Sequence, residues 1–313
     1  MKQILLVLLA LAIIPIGLYF ILTANDSKNL VSPLLKTNKV ISLNQWFPKE
    51  VLGVGIEVPE ITAKAAFFVE TKTGRVLFSK NPEQQLPIAS LVKVMTALIA
   101  LENRNLDEKL WVSSRASEME PDKMFLQPGE ELNLKELLYG IFLISGNDSA
   151  EVLAEATTGN RMEFINSMND KAKQLGMKNS FFVNPTGLDE DISNSFSSAY
   201  DLSLLTRYAI RKFPVLVDIS KTEHITLPQT EDHQDYDMYS GINLLTTYPG
   251  VVGFKTGFTP EAGLTLITLA QKDGHEIVGV LLGSENRRDE AKELLDYSFS
   301  KLETKPLQSL PQN

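Results

Sequence analysis

The stretch at residues 94–101, Val-Met-Thr-Ala-Leu-Ile-Ala-Leu, constrains this chain more than any other. It has no Gly or Pro and consists mostly of good helix formers, so it predicts a helix. The helix has almost no polar side, and one that is apolar nearly all round must be buried on nearly every side. The fold therefore has to supply protein around it, and 313 residues suffice for one large domain or two ordinary ones. Ser90-Leu91-Val92-Lys93 leads into this helix, after an extended approach suited to Pro87. Ser90 is then expected in the first turn and Lys93 one turn on, because residues three apart are helical neighbours. A lysine near the start of a buried helix loses solvation unless it snorkels or pairs, and its pKa falls. A hydroxyl beside such an amine has the arrangement of an activated nucleophile. The plainer reading is that Ser90 caps the helix and Lys93 reaches solvent. Ser-x-x-Lys also recurs by chance in many chains, so the case depends on two further stretches.

Composition removes several alternatives. The net charge is -9 and the pI about 5.0, which argues against nucleic acid as a partner and against a strong pull to anionic lipid. Without cysteine there is no disulfide, no thiolate nucleophile and no Cys-based metal site. His224, His233 and His275 are too scattered for a metal cluster. No metal or cofactor is expected.

Residues 4–22 form an uncharged apolar run after Lys2. At about 1.5 Å per residue it spans roughly 28 Å, close to the hydrocarbon thickness of a bilayer. Pro15 and Gly17 are tolerable in a membrane helix. A cleaved signal peptide is the rival, but its core is usually shorter and no clean small-x-small site precedes Asn25. The expectation is an anchor over residues 1–24, a tether over 25–62 and a chain outside the cytoplasm. The catalytic domain then spans 63–302, and 303–313 reads as a flexible tail.

Within 63–302, residues 65–70 and 75–79 read as two strands about a Gly-containing turn. Apolar helical patterns follow at 134–144, 149–157, 162–175 and 198–212, the last opened by Ser198. Residues 217–245 show no regular period. Residues 251–257, 264–270 and 276–282 read as strands, with Lys272-Asp273-Gly274 as a hairpin turn, and 289–302 as a closing helix. This order predicts an α+β fold: an antiparallel sheet flanked by helices, built from the first and last strands, with an all-helical lobe inserted. The Ser90 helix would lie where the lobes meet, a usual place for a cleft.

Two more stretches complete a pattern. Ser145-Gly146-Asn147-Asp148 separates two apolar helices, and Lys255-Thr256-Gly257 lies on a strand. Small polar residues commonly end and cap helices, so the second stretch alone says little. Ser90-x-x-Lys93, Ser145-Gly146-Asn147 and Lys255-Thr256-Gly257, in this order and these contexts, match the triplet of penicillin-binding proteins and class A β-lactamases. Over about residues 63–301 the sequence resembles the serine-type D-alanyl-D-alanine carboxypeptidases, the low-molecular-mass penicillin-binding proteins. Met124-Phe125-Leu126-Gln127-Pro128-Gly129, Asn184-Pro185-Thr186-Gly187-Leu188 and Gly253-Phe254-Lys255-Thr256-Gly257-Phe258-Thr259 share in the resemblance.

The resemblance implies a β-lactamase/DD-peptidase-like fold and a catalytic set of Ser90, Lys93, Ser145, Asn147 and Lys255. Ser90 is the implied nucleophile and Lys93 its base. Ser145 and Lys255 relay a proton to the leaving amine, and Asn147 holds the substrate amide. Thr256, Gly257 and Phe258 bind substrate. The oxyanion hole is formed by the N–H groups of Ser90 and Phe258. The implied partners are peptidoglycan stem peptides ending in D-Ala-D-Ala, with β-lactams as covalent inhibitors and the membrane reached through the N-terminal segment. Family members often continue into a β-rich domain and a C-terminal anchor. DD-endopeptidase action on cross-links uses the same residues. A class A β-lactamase needs a deacylating Glu, for which Glu163 and Glu190 have unconvincing contexts. A non-catalytic penicillin-binding sensor has no need of Lys93.

Overall fold

The runs around Thr71-Lys72-Thr73-Gly74 form a hairpin of β1 (Ala65–Glu70) and β2 (Val76–Lys80), closed by the Gly74 N–H on the Glu70 carbonyl at 2.9 Å. The computed structural model describes residues 57–189 and 194–303, all within the second of two units, which begins at Ser42. The expected anchor, most of the tether and nearly all of the tail lie outside the described residues. No described helix is long and apolar enough to cross a membrane.

Three later strands, β3 (Val251–Thr259), β4 (Gly263–Lys272) and β5 (His275–Ser284), join the hairpin. The sheet order is β2-β1-β5-β4-β3, with every pairing antiparallel. The two ends of the domain thus meet side by side, Phe67 opposite Val280. Asp273 (φ 51°) and Gly274 (φ 79°) make the tight turn between β4 and β5, as two positive φ values in succession suit a twisted hairpin.

The longer helices are α1 (Lys93–Asn103), α2 (Leu134–Leu143), α3 (Asn147–Thr158), α4 (Arg161–Leu175), α5 (Ala199–Lys212) and α6 (Arg287–Glu303). One sheet face packs Phe68, Leu77, Leu266 and Leu281 against Leu294 and Leu295 of α6. The other face joins Phe67, Val69, Ile267 and Val280 to the helical core. Every residue of α1 from Lys93 to Leu101 is buried, and α2, α3, α4 and α5 all contact it. Each buried Leu, Ile or Met on it contributes roughly 1.5–3 kcal/mol. The surrounding layers demanded by its apolar circumference are present, and the α+β architecture with a helical insertion is as expected.

Three local readings need correction. Ser90 is not in an α-helical turn: it sits on a 3-10 turn, Ala89–Val92, and α1 begins at Lys93. Ala89 has φ 48°, which interrupts the helix before Ser90. Asn147 and Asp148 belong to the first turn of α3, so the loop after α2 shrinks to little more than Ser145-Gly146. Residues 217–245 are more regular than their sequence suggests. They hold the end of a short helix (Val215–Ser220), a hairpin of His224–Leu227 with Tyr236–Tyr239, and a helical turn at Leu244–Thr247. A hairpin of Lys109–Trp111 with Glu131–Asn133 also went unforeseen, since three residues are too few to establish an alternation.

Candidate active site

Four segments far apart in sequence converge beside Ser90. Lys93 opens α1 with no solvent exposure and reaches back along its own turn, with Nζ 3.0 Å from Ser90 Oγ. Its other partners are Asn147 Oδ1 and the Thr186 carbonyl, both at 2.7 Å. These acceptors match the three N–H bonds of an ammonium. After loss of one proton, two N–H bonds still serve Asn147 and Thr186, and the lone pair faces the Ser90 hydroxyl. Burial holds Lys93 well below the ordinary lysine pKa, and the charge of Lys255 pushes the same way against Asp122 and Asp148. The free amine needed to accept a proton is thereby favoured.

Lys255 lies on β3, the edge strand that faces the Ser90 turn, and is 1% exposed. Its Nζ donates to Ser145 Oγ at 2.9 Å and to the Thr256 carbonyl at 2.8 Å. Burial, and after it the Arg287 guanidinium, push its pKa down to about 7, with Asp122 opposing. Ser145 stands at φ 62°, turning the chain sharply from α2 into α3 while the Gly146 N–H closes on the Gly140 carbonyl at 2.9 Å. With Ala89, this gives two non-glycine residues in the left-handed region beside the nucleophile. Each costs roughly 1–2 kcal/mol, a kind of strain that tends to cluster at active sites.

Gly257 permits the close approach of strand and nucleophile. A Cβ there would lie 2.6 Å from Thr265 Oγ1 and 3.0 Å from the Ser90 amide nitrogen. The 257–258 stretch is therefore seated against the Ser90 N–H, with Thr256 half-buried beside it and Phe258 62% exposed. Ser90, Lys93, Ser145, Asn147, Lys255, Thr256, Gly257 and Phe258 all fall in this one neighbourhood. A cleft of about 700 Å³ is lined by Pro121, Asp122, Phe125, Ile144, Tyr236 and Met238 among others; Ile144 precedes Ser145 in the chain, and the Asp122 carbonyl accepts the Asn147 N–H at 2.6 Å.

Sequence reasoning assigned no role to several residues here. The Thr186 carbonyl is presented by a turn in which Asn184 Oδ1 accepts the N–H groups of Thr186 (3.2 Å) and Gly187 (2.6 Å). Thr96 of α1 donates to the Pro185 carbonyl at 2.7 Å and ties this turn to the lysine helix. Asn-Pro-Thr-Gly was the available signal, but it marks a turn, not the carbonyl it offers. Arg287, at the start of α6, donates from Nη1 to the carbonyls of Gly257 (2.5 Å) and Thr265 (3.1 Å). Nothing near it in sequence indicates this. Glu163 is exposed in the first turn of α4, and Glu190 lies outside the described residues. Among the described residues no group of three His, Asp or Glu side chains is placed to hold a metal.

A sheet with a helical insertion, and a Ser–Lys pair at their junction facing a Lys-Thr-Gly strand, define a fold and site of the penicillin-binding class. Residues 53–286 match the family described as D-alanyl-D-alanine carboxypeptidase, and the chain belongs to that family. It is 37% identical over 253 residues to the D-alanyl-D-alanine carboxypeptidase DacF of Bacillus subtilis, covering 78% of this chain and 64% of DacF. The chain thus spans a little under two thirds of that relative. It is 34% identical over 211 residues to a D-alanyl-D-alanine endopeptidase of Pseudomonas aeruginosa, covering 66% of this chain and 67% of the endopeptidase. The solved structure of D-alanyl-D-alanine carboxypeptidase from Mycobacterium tuberculosis superposes with a TM-score of 0.75 at 28% identity, covering 83% of this chain and all of that one.

Proposed function

We propose that the protein is a serine DD-carboxypeptidase that removes the terminal D-Ala from peptidoglycan stem peptides through an acyl-enzyme on Ser90. The observation that carries this reading is the Lys93 amine, buried, held by two carbonyl oxygens and turned toward Ser90 Oγ. Lys93 takes the Ser90 proton as Oγ bonds to the carbonyl carbon of the penultimate D-Ala. The N–H groups of Ser90 and Phe258 receive the developing oxyanion. Lys255 and Ser145 form the second proton path, which delivers a proton to the departing D-Ala amine. Water then attacks the ester and frees Ser90 as the shortened peptide leaves. Lys255, the Thr256 hydroxyl and Arg287 together suit a substrate ending in a free carboxylate. The cleft lined by Asp122, Phe125 and Ile144 gives the acyl side of the peptide a place to lie.

DD-endopeptidase action on cross-links is the second reading, favoured by the likeness to the Pseudomonas endopeptidase. We place the catalytic domain outside the cytoplasm, tethered to the cell membrane by residues 1–24, on the strength of the apolar run at 4–22. Fluorescent penicillin should label the wild type and leave Ser90→Ala unlabelled, and a pentapeptide ending in D-Ala-D-Ala should lose one alanine. Labelling of Ser90→Ala at the normal rate would overturn the assignment. Release of cross-links in preference to terminal alanine would favour the endopeptidase reading. For the tether, the intact mass of membrane-extracted protein should include the residues before Asn25, and a soluble form starting near Asn25 would refute it.

A further inference from the structure

Asp148 follows the Ser-Gly-Asn stretch, is fully buried, and has no part in the proton transfers above. Its carboxylate accepts the Met124 N–H at 3.0 Å on Oδ1, the Leu126 N–H at 3.2 Å on Oδ2, and the Ser149 N–H at 2.7 Å on Oδ1. The preceding residue grips the same loop from its other end. The Asn147 N–H donates to the Asp122 carbonyl at 2.6 Å and Asn147 Nδ2 to the Glu120 carbonyl at 3.1 Å. Residues 120 and 122 are thus held by their carbonyls, and 124 and 126 by their N–H groups, against the first turn of α3. Met124 seats over Gly140, where a Cβ would fall 2.2 Å from the Met124 sulfur. On the outer side Phe125 stands at φ 67° and 65% exposed, its carbonyl accepting from Gln127 Nε2 (3.0 Å) and Gln234 Nε2 (3.1 Å).

We propose that Asp148 is a positioning residue for acylation: by fixing loop 120–126 it sets which way the Asn147 amide faces Lys93. The Glu120 carbonyl can only accept, so it must meet Nδ2, which leaves Oδ1 for Lys93. If the loop drifts, the amide is free to rotate by half a turn and present N–H bonds to Lys93. The lysine lone pair then accepts from Asn147 instead of from the Ser90 hydroxyl, and the base is lost although every catalytic side chain remains. Asp148 touches neither substrate nor the reacting atoms; removing its charge would by itself favour the free Lys93 amine, so a loss of rate on substitution comes through the loop and Asn147.

The inference rests on the acyl-transfer reading of the site. Its test is the rate constant of penicillin acylation per labelled molecule, with thermal melts, for wild type, Asp148→Asn, Gln234→Ala and Gln127→Ala. Asp148→Asn keeps the volume but replaces one accepting oxygen with an NH₂ that cannot take a loop N–H. Its rate constant per labelled site should fall about 10²-fold, the scale on which small misplacements act. Gln234→Ala loosens the loop from its exposed side, and should lose a few-fold in rate with an unchanged melting temperature. A purely structural Asp148 would give fewer labelled molecules, each acylating at the wild-type rate, and that result overturns the proposal. Should Asp148→Asn fail to fold, Gln127→Ala decides, because Gln127 also holds the Phe125 carbonyl but does not line the cleft: a wild-type rate overturns the proposal and a reduced rate supports it. A wild type that penicillin does not label overturns the acyl-transfer reading, and this inference with it.

Discussion

The surroundings of Lys93 and Lys255 are alike in most respects and differ where the chemistry needs them to. Both ammonium groups are buried, each donates to a serine hydroxyl, and each has another cation nearby. Lys93 sits on a helix inside the core, with the amide of Asn147 and the Thr186 carbonyl as fixed acceptors. Lys255 sits on an edge strand, with a neighbouring carbonyl and a part-exposed serine. Burial holds both below the ordinary lysine value, Lys93 well below it and Lys255 at about 7. What separates them is the set of partners each amine meets, not the residue type.

The comparison breaks most visibly at Lys93. Lys93→Arg keeps the charge and roughly the reach but cannot release a proton, so acylation by a β-lactam should fall by about 10³-fold or more, within the span of general-base catalysis and lost orientation together. A variant within about tenfold of wild type, a difference of roughly 1.4 kcal/mol, would falsify Lys93 as base. At Lys255 the charge matters more than its loss. Lys255→Gln should slow acylation by about 10²-fold, and Lys255→Arg should recover part of it, read from the same labelling rates. Equal rates for the two would mean that the positive charge is irrelevant.

The pH profile sharpens the same contrast. The base must be neutral, so acylation rises as pH climbs through the depressed Lys93 ionisation. The acid must be charged, so acylation falls as pH passes the Lys255 value of about 7. In Lys255→Arg the alkaline limb should disappear while the acid limb stays, and an unmoved alkaline limb would assign it to another group. Stability should respond as well. A folded-state pKa below the unfolded one means that the unfolded chain binds more protons between the two values, so stability rises with pH there. The window runs from about 7 for Lys255 to the ordinary lysine value near 10. Denaturation at several pH values should show a steeper rise for wild type than for Lys255→Met, and parallel curves would count against the shift.

The smallest expected effect lies in the turn that serves only Lys93. Asn184→Ala removes the acceptor of the Thr186 and Gly187 N–H groups. It should cost about 1–3 kcal/mol of stability and slow acylation less than either lysine substitution, with the alkaline limb unmoved. Stopped-flow acylation across pH would check this. A displaced alkaline limb would show that the turn acts on Lys255 as well.

Much of this site was legible in the chain before folding. Ser90 and Lys93 are three apart, and that spacing brings them together even though their turn proved to be 3-10. Gly257 was expected on the substrate-binding strand, and a Cβ there would lie 3.0 Å from the Ser90 amide nitrogen. Thr186, Asp148 and Arg287 escaped notice for a common reason. They act through backbone groups: a carbonyl offered to Lys93, N–H groups gripped in a loop, and two strand carbonyls bound by a guanidinium. Backbone groups are the same in every residue, so no side-chain pattern marks which of them will be used.

By itself the sequence determined that α1 is buried all round and that early and late strands build one sheet about a helical insertion. Those outcomes follow from apolar periodicity and short-range spacing, which belong to the chain. Only the tertiary structure decided that Lys93 and Lys255 are both held below the ordinary lysine pKa, that Asn147 turns its oxygen to Lys93, and that Asp148 and Arg287 hold the loop and strand around them. These depend on how completely water is excluded and which distant carbonyl comes within 3 Å, and both are set by packing between segments far apart in the chain.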